Sequence, residues 1–176
     1  MHPAEDFFSL FSLPRSFAVD KPALTANFRA LQAASHPDKV AAGDEAAKLA
    51  AVQRSSLLND AFATLKSPLA RAGYLLRLAG IDVEAVSQSD LDPAVLFEQM
   101  QLRESVAEAP AGEEGLAPLA ALKQEIGARI EVREAAFVAA LDAEEFSAAK
   151  RVFHELQFLY KLFQEIEASE EQRLGY

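Results

Sequence analysis

The chain has 176 residues, a formal charge of -10 and no cysteine, which excludes disulfides, thiolate nucleophiles, Cys-held zinc and Cys-ligated iron–sulfur clusters. Its seven glycines have neither dinucleotide-binding nor Walker spacing, so both familiar phosphate cradles are absent. The charge is uneven: residues 1–80 carry nine Lys/Arg against seven Asp/Glu, residues 81–176 eight against twenty, and neither half has the basic stripe that nucleic acid or anionic lipid requires.

Ala (35) and Leu (23) far outnumber Val, Ile and Thr (16 together), a balance that favours helix over sheet. Phe7, Leu10 and Phe11 predict a short opening helix that ends at Leu13-Pro14. Asp20 caps a second helix with Pro22 in its first turn and Leu24, Phe28 and Leu31 on one face; it stops before His36-Pro37, because a residue preceding proline leaves the α region. After a loop to about Gly43, Leu49, Val52, Leu58, Phe62 and Leu65 predict a long helix ending at Lys66. Ser67 and Pro68 cap and start the next helix, and Gly80 stops it.

Ile81 to Asp92 is acidic and irregular and reads as a connection; Asp92-Pro93 restarts helix. Beyond it three helices are predicted, over 93–109, about 117–141 and 143 to about 172. Glycines and acids at 110–115 separate the first two, and a corner at Asp142, where Asp142 and Glu145 form a cap-x-x-Glu pair, separates the last two. Phe146, Ala149, Phe153, Leu156, Tyr160 and Phe163 repeat as the seam of an antiparallel bundle. No internal repeat is found. The longest Pro-free apolar run, 135–141, is too short to span a bilayer, and Glu5 and Asp6 stand where an export signal needs basic residues; a cytoplasmic protein is expected.

Phe28-Arg29-x-Leu31 leads into His36-Pro37-Asp38-Lys39. After the loop come Leu58-Asn59-Asp60-Ala61-Phe62-x-x-Leu65-x-Ser67-Pro68-x-x-Arg71-Ala72-x-Tyr74. With the opening Asp6-Phe7-Phe8-x-Leu10-Phe11-x-Leu13-Pro14, this resembles a J-domain along its whole length. Tyr74-Leu75-Leu76-x-Leu78-x-Gly80, Leu96-Phe97-Glu98-Gln99-Met100-x-Leu102-Arg103-Glu104 and Phe158-Leu159-x-Lys161-Leu162 are similar to the HscB family of co-chaperones for iron–sulfur cluster biogenesis. The resemblance implies that the J-domain stimulates ATP hydrolysis by a dedicated DnaK-type chaperone, HscA, and that the C-terminal bundle holds and delivers the scaffold protein IscU. On that reading the cluster has no ligands in this chain, and no cofactor is needed.

The resemblance assigns the chaperone contact to His36, Pro37, Asp38 and Lys39, with Lys21 and Arg29 supplying charge. Ser35 stands where J-domains usually place an aromatic, and the second helix is sparse in cations. The expected form is bacterial in type, without the N-terminal zinc module of some eukaryotic members. Helical geometry gives the client face. Leu102, Val106 and Ala109 fall within about 40° of Val95 and suffice as a core stripe, whereas Leu96, Met100 and Phe97 fall about 100° to 200° around the helix. Phe158 likewise points away from its own seam. A helix buried on two sides would explain both, but a contiguous exposed apolar patch more often marks a partner site. The resemblance gives this surface to the scaffold, with Glu104 and Glu108 as polar neighbours.

Read blandly, Asp38 is a turn or capping carboxylate, Asn59 and Asp60 brace the loop, and His2 and His154 are surface or packing residues without a second ligand at metal spacing. Glu113-Glu114, Glu144-Glu145 and Glu170-Glu171 read as solvated pairs. The expectation is therefore an all-α protein, not an enzyme: a J-domain at 1–78, a connection at 79–92 and a three-helix client-binding bundle at 93–176. It acts as a monomer with HscA and an IscU-type scaffold as partners, binding no nucleic acid, membrane or metal. Joining both functions in one chain raises the client's effective concentration at the chaperone. A J-protein serving a different folded client is the nearest alternative, and a regulatory bundle with a non-functional J-like half a further one.

Overall fold

The computed structural model describes residues 6–35, 44–85 and 92–175, and among these every regular element is helical. The helices are α1 (Phe7–Leu10), α2 (Lys21–Ala34), α3 (Glu45–Lys66), α4 (Pro68–Leu78), α5 (Pro93–Ala107), α6 (Leu116–Asp142) and α7 (Phe146–Leu174), with a short 3-10 turn at Gly112–Gly115 before α6. The chain forms two compact units, Met1–Leu75 and Leu76–Tyr176, and the division lies inside α4.

Carboxylates or hydroxyls start five of the seven helices. Asp6, Asp20, Asp44 and Asp92 accept the backbone N–H of Ser9, Ala23, Ala47 and Ala94, and Ser67 Oγ accepts that of Ala70. Each satisfies a donor that the first helical turn leaves without a partner. Gly80, at a φ of +80°, ends α4 as expected: its N–H donates to Arg77 O and that of Ile81 to Leu76 O, the paired bonds of a Schellman turn. The same pair closes α6, but there Glu144 takes the left-handed position at a φ of +58°, with Glu145 N–H bonded to Ala140 O. This corrects the expected capping box. Asp142 is still helical and caps nothing, and Glu145 precedes α7 without a side-chain cap bond, because the reversal is made by backbone hydrogen bonds.

In the first unit, aromatic side chains link the helices. Phe7 stacks on Tyr74 at 4.5 Å between centroids and donates its N–H to the Tyr74 hydroxyl; Phe28 of α2 stacks on Phe62 of α3 at 4.2 Å. Asn27 Nδ2 donates to Phe11 O, and the buried Arg71 donates to Leu65 O while its guanidinium lies 4.8 Å from the Phe17 ring centre. Leu58 and Leu65 are buried as the helical pattern requires. Leu49 and Val52, on the same predicted face, are instead 60% and 54% exposed, so the apolar face of α3 is covered only over its second half.

In the second unit, α6 and α7 form an antiparallel pair, to which α5 and the 3-10 turn add. Ala149, Phe153 and Leu156 are buried as the predicted seam requires, but farther along the fully buried positions are Leu159, Leu162 and Ile166, while Tyr160 and Phe163 are half-buried. The seam widens because α7 has neighbours on several sides: α6, α5 and the 3-10 turn all pack on it. Tyr160 donates to Glu134 of α6 at 2.5 Å, and Lys123 of α6 bonds Glu170 at 2.9 Å and Glu167 at 3.2 Å. Those carboxylates hold the Lys123 ammonium above its ordinary pKa. Glu170 is thus an ion-pair partner, not the solvated acid expected. At Gly115 a Cβ would collide with Pro110 O and the Arg173 guanidinium, which is why only glycine fits where the end of α7 closes on the turn.

Asp6 carries two tasks, capping α1 and binding Arg15 Nη2 at 2.5 Å. Burial works to raise its pKa, but the hydrogen bonds from Ser9 and Arg15 outweigh it and hold the carboxyl below its ordinary 3.8. The charged form is therefore favoured by folding, a contribution present above pH 3.8 and lost as pH falls through the lowered value. Asp6→Ala is expected to cost about 0.5 to 2 kcal/mol in urea denaturation at pH 7, a difference that shrinks as pH falls below 3.8 and through the lowered Asp6 value.

Candidate functional site

The predicted chaperone loop, His36, Pro37, Asp38 and Lys39, lies outside the described residues, as does His2. Its helical flanks do not. α2 ends at Ser35, whose N–H and hydroxyl both bond Leu31 O, and α3 begins at the Asp44 cap. Lys21 and Arg29 are exposed on α2, and neither has an ion-pair partner among the described residues.

α5 is built around one deep contact. Asp92 caps it and Pro93 begins it, and Leu102 is its only fully buried residue, at 5% exposure. Val95, Val106 and Ala109, expected beside it in the core, are half-buried. Opposite that stripe Leu96, Phe97 and Met100 are 42%, 62% and 69% exposed, with Glu104 and Glu108 exposed one and two turns farther on. Three large apolar side chains held in water on one helix face are unfavourable unless something covers them. No ion pair engages Glu104 or Glu108 among the described residues.

Phe158 is not part of that exposed face. It is half-buried on α7, under the Arg103 guanidinium at 5.5 Å, and lines a cleft with Val95, Leu102 and Leu159 on the inner side of α5. The predicted residues therefore divide: Leu96, Phe97, Met100, Glu104 and Glu108 share one exposed stripe, and Phe158 sits around the flank of α5 from it. One ion pair ties α5 to α6, and a second ties α6 to α7. Arg129 of α6 pairs with Glu98 of α5 and, at 2.7 Å, with Glu125; Arg133 of α6 pairs with Glu155 of α7 at 2.5 Å. Sequence reasoning missed Arg129 and Val132, which stand on an Ala-rich helix without a clear polar face. The signal available was Val132 alone between Glu131 and Arg133, exposed at 62%.

No group of three His, Cys, Asp or Glu among the described residues is arranged to hold a metal ion, and His154 is engaged through Nδ1 with Gln157 at 2.9 Å. No helix among the described residues is long and apolar enough to cross a membrane.

Residues 91–167 match the family model described as the HSCB C-terminal oligomerisation domain. The co-chaperone protein HscB homolog of Cupriavidus taiwanensis is 40% identical over 158 residues, 90% of this chain and 89% of its own. That of Vibrio cholerae is 41% identical over 97% of this chain and 99% of its own. Among solved structures, chaperone HscB from Vibrio cholerae superposes with a TM-score of 0.85 at 39% identity, covering 96% of this chain and 99% of that one. Human co-chaperone protein HscB gives 0.86 at 29% identity, over 96% and 83%. Helix order, extent and sequence thus define an all-helical co-chaperone built of a J-domain and a C-terminal helical region. The chain belongs to the HscB co-chaperone family.

The two sides of α5 have different expected costs. Leu102→Ala truncates a buried residue and is expected to lower stability by about 2 to 5 kcal/mol. Phe97→Ala and Met100→Ala should each change it by less than about 0.5 kcal/mol. Urea denaturation of the three variants, followed by circular dichroism, reads the contrast directly.

Proposed function

We propose that this chain stimulates the ATPase of a DnaK/HscA-type chaperone through His36-Pro37-Asp38 and delivers an IscU-type scaffold protein to it, assisting iron–sulfur cluster assembly and transfer in the cytoplasm. The observation that carries the client half is the exposed stripe Leu96, Phe97 and Met100, flanked by Glu104 and Glu108, on a helix whose core contact is made elsewhere by Leu102. Family membership supports both halves, and the J-domain motif supports the first. Lys39, with Lys21 and Arg29, supplies the charge that pairs with the chaperone. The chain acts as a monomer, binds no nucleic acid, membrane, metal or cofactor, and catalyses no reaction of its own.

Steady-state ATPase measurements with purified chaperone, this chain and the scaffold, alone and together, test the whole reading. Synergy between chain and scaffold is expected; its absence contradicts delivery. His36→Gln should abolish stimulation while leaving scaffold affinity and the melting temperature unchanged. Full stimulation by that variant removes the J-domain role. Stimulation by the wild type should weaken with added salt, because Arg29, Lys21 and Lys39 pair across solvent.

Burying a large apolar side chain in an interface contributes about 1.5 to 3 kcal/mol, although such terms do not add simply. The triple variant Leu96→Ala, Phe97→Ala, Met100→Ala should therefore weaken scaffold binding by about 2 to 4 kcal/mol, roughly 30- to 1,000-fold. Its melting curve should be nearly unchanged. Titration calorimetry measures the first, and normal affinity with an early melt would place the three residues in the core.

A further inference from the structure

The link between α5 and α6 closes on the far end of α7. Pro110 follows the last turn of α5, Gly112 takes a φ of +68°, and the 3-10 turn Gly112–Gly115 ends on a buried glycine. A Cβ at Gly115 would meet Pro110 O on one side and the Arg173 guanidinium on the other, so the carbonyl and the guanidinium sit together over that residue. Arg173 reaches the turn from a fixed base: Glu167 and Glu170, within the two turns of α7 before it, are both bound by Lys123 of α6.

The seat is close but unfavourable for the charge in it. Nη1 of Arg173 is shielded from water and has no hydrogen-bond partner among the described residues. A charged donor that gives up water without a replacement bond opposes the contact that buries it. The side chain as a whole is only half-buried, so rotation about its own torsions returns the guanidinium to solvent. α5, on the other side of the turn, is held to the hairpin by the buried Leu102 and the Glu98–Arg129 pair, a narrow attachment that leaves its position sensitive to the turn.

We propose that Arg173 and the 110–115 turn form a clasp that opens and closes. With the guanidinium seated, the turn lies against the end of α7 and α5 keeps its place; when Arg173 swings into water, the turn and α5 loosen together while α6 and α7 stay paired. The clasp does not depend on what α5 binds. Where α5 is the client face, the open fraction lowers the apparent affinity of any partner that needs α5 in place.

Amide exchange of the full chain, followed by mass spectrometry, tests this with two opposed substitutions. Gly115→Ala puts a methyl group where Arg173 and Pro110 meet and forces the clasp open; Gly115 has an ordinary φ of -81°, so the change acts through that contact and not through backbone strain. Arg173→Met keeps an unbranched stem in the seat and removes the unpartnered donor. Gly115→Ala is expected to raise exchange over 110–115 and across α5 together, by about fivefold or more. Arg173→Met is expected to slow exchange over the same residues, and neither variant to change it over the buried lengths 126–137 of α6 and 149–162 of α7. If Gly115→Ala leaves α5 as in the wild type, the turn does not govern α5 and the proposal fails. Faster exchange along the hairpin as well would make Gly115 part of one cooperative core and also overturn it. Exchange in Arg173→Met as fast as in the wild type, or faster, would show that the seated guanidinium carries no penalty and that nothing drives the clasp open. Should Gly115→Ala fail to fold, Arg173→Met decides alone.

Discussion

The second unit depends on the antiparallel pairing of α6 with α7. Once Ile126, Ile130 and Phe137 on one helix and Phe153, Leu156 and Leu162 on the other are buried, the hairpin has satisfied most of its apolar surface, and α5 is added to it through Leu102 and the Arg129–Glu98 ion pair. A helix attached by so narrow a contact cannot bury apolar residues all around its circumference. Leu96, Phe97 and Met100 are left in water, and the space beneath Val95 stays open, for the same reason: the hairpin was complete without them.

That geometry places a buried core residue and an exposed apolar stripe within a single turn of helix. Leu102 is where truncation leaves a cavity, and Met100, two residues earlier, is where truncation leaves only less surface. The stripe proposed as the client face thus presents large apolar side chains on a backbone whose position is set by a different set of contacts. Exposed apolar area also carries a risk of self-association. The surrounding acids, Glu104 and Glu108 on α5 and the net charge of the second half, oppose it, because like-charged copies repel.

The first unit is held differently. Aromatic stacking and a few long-range hydrogen bonds, Phe7 to Tyr74 and Asn27 to Phe11, connect segments far apart in sequence. The apolar face of α3 is covered around Leu58 and Leu65 but not at Leu49 and Val52, near the start of the helix. Those residues obey the helical period as well as the buried ones do. Period alone therefore identified the face but not how far the neighbouring helix extends along it.

Much of this protein is determined locally and was legible in the sequence. Asp20, Ser67 and Asp92 start helices because a side-chain oxygen at the cap bonds an amide two or three residues on, and Gly80 ends one because it adopts a positive φ without strain. The outward placement of Leu96, Phe97 and Met100 followed from the angle between them and Leu102 on one helix. What the sequence did not contain is how many neighbours each helix has. That number moved the buried positions of α7 to Leu159 and Leu162, put Phe158 under Arg103 in the cleft away from the outer stripe, and engaged Glu170 with Lys123. Backbone bonding at Glu144 in turn made the Asp142 cap unnecessary. Capping and periodicity act over three or four residues of one chain segment; burial and ion pairing depend on residues tens of positions away, which only the tertiary fold brings into contact.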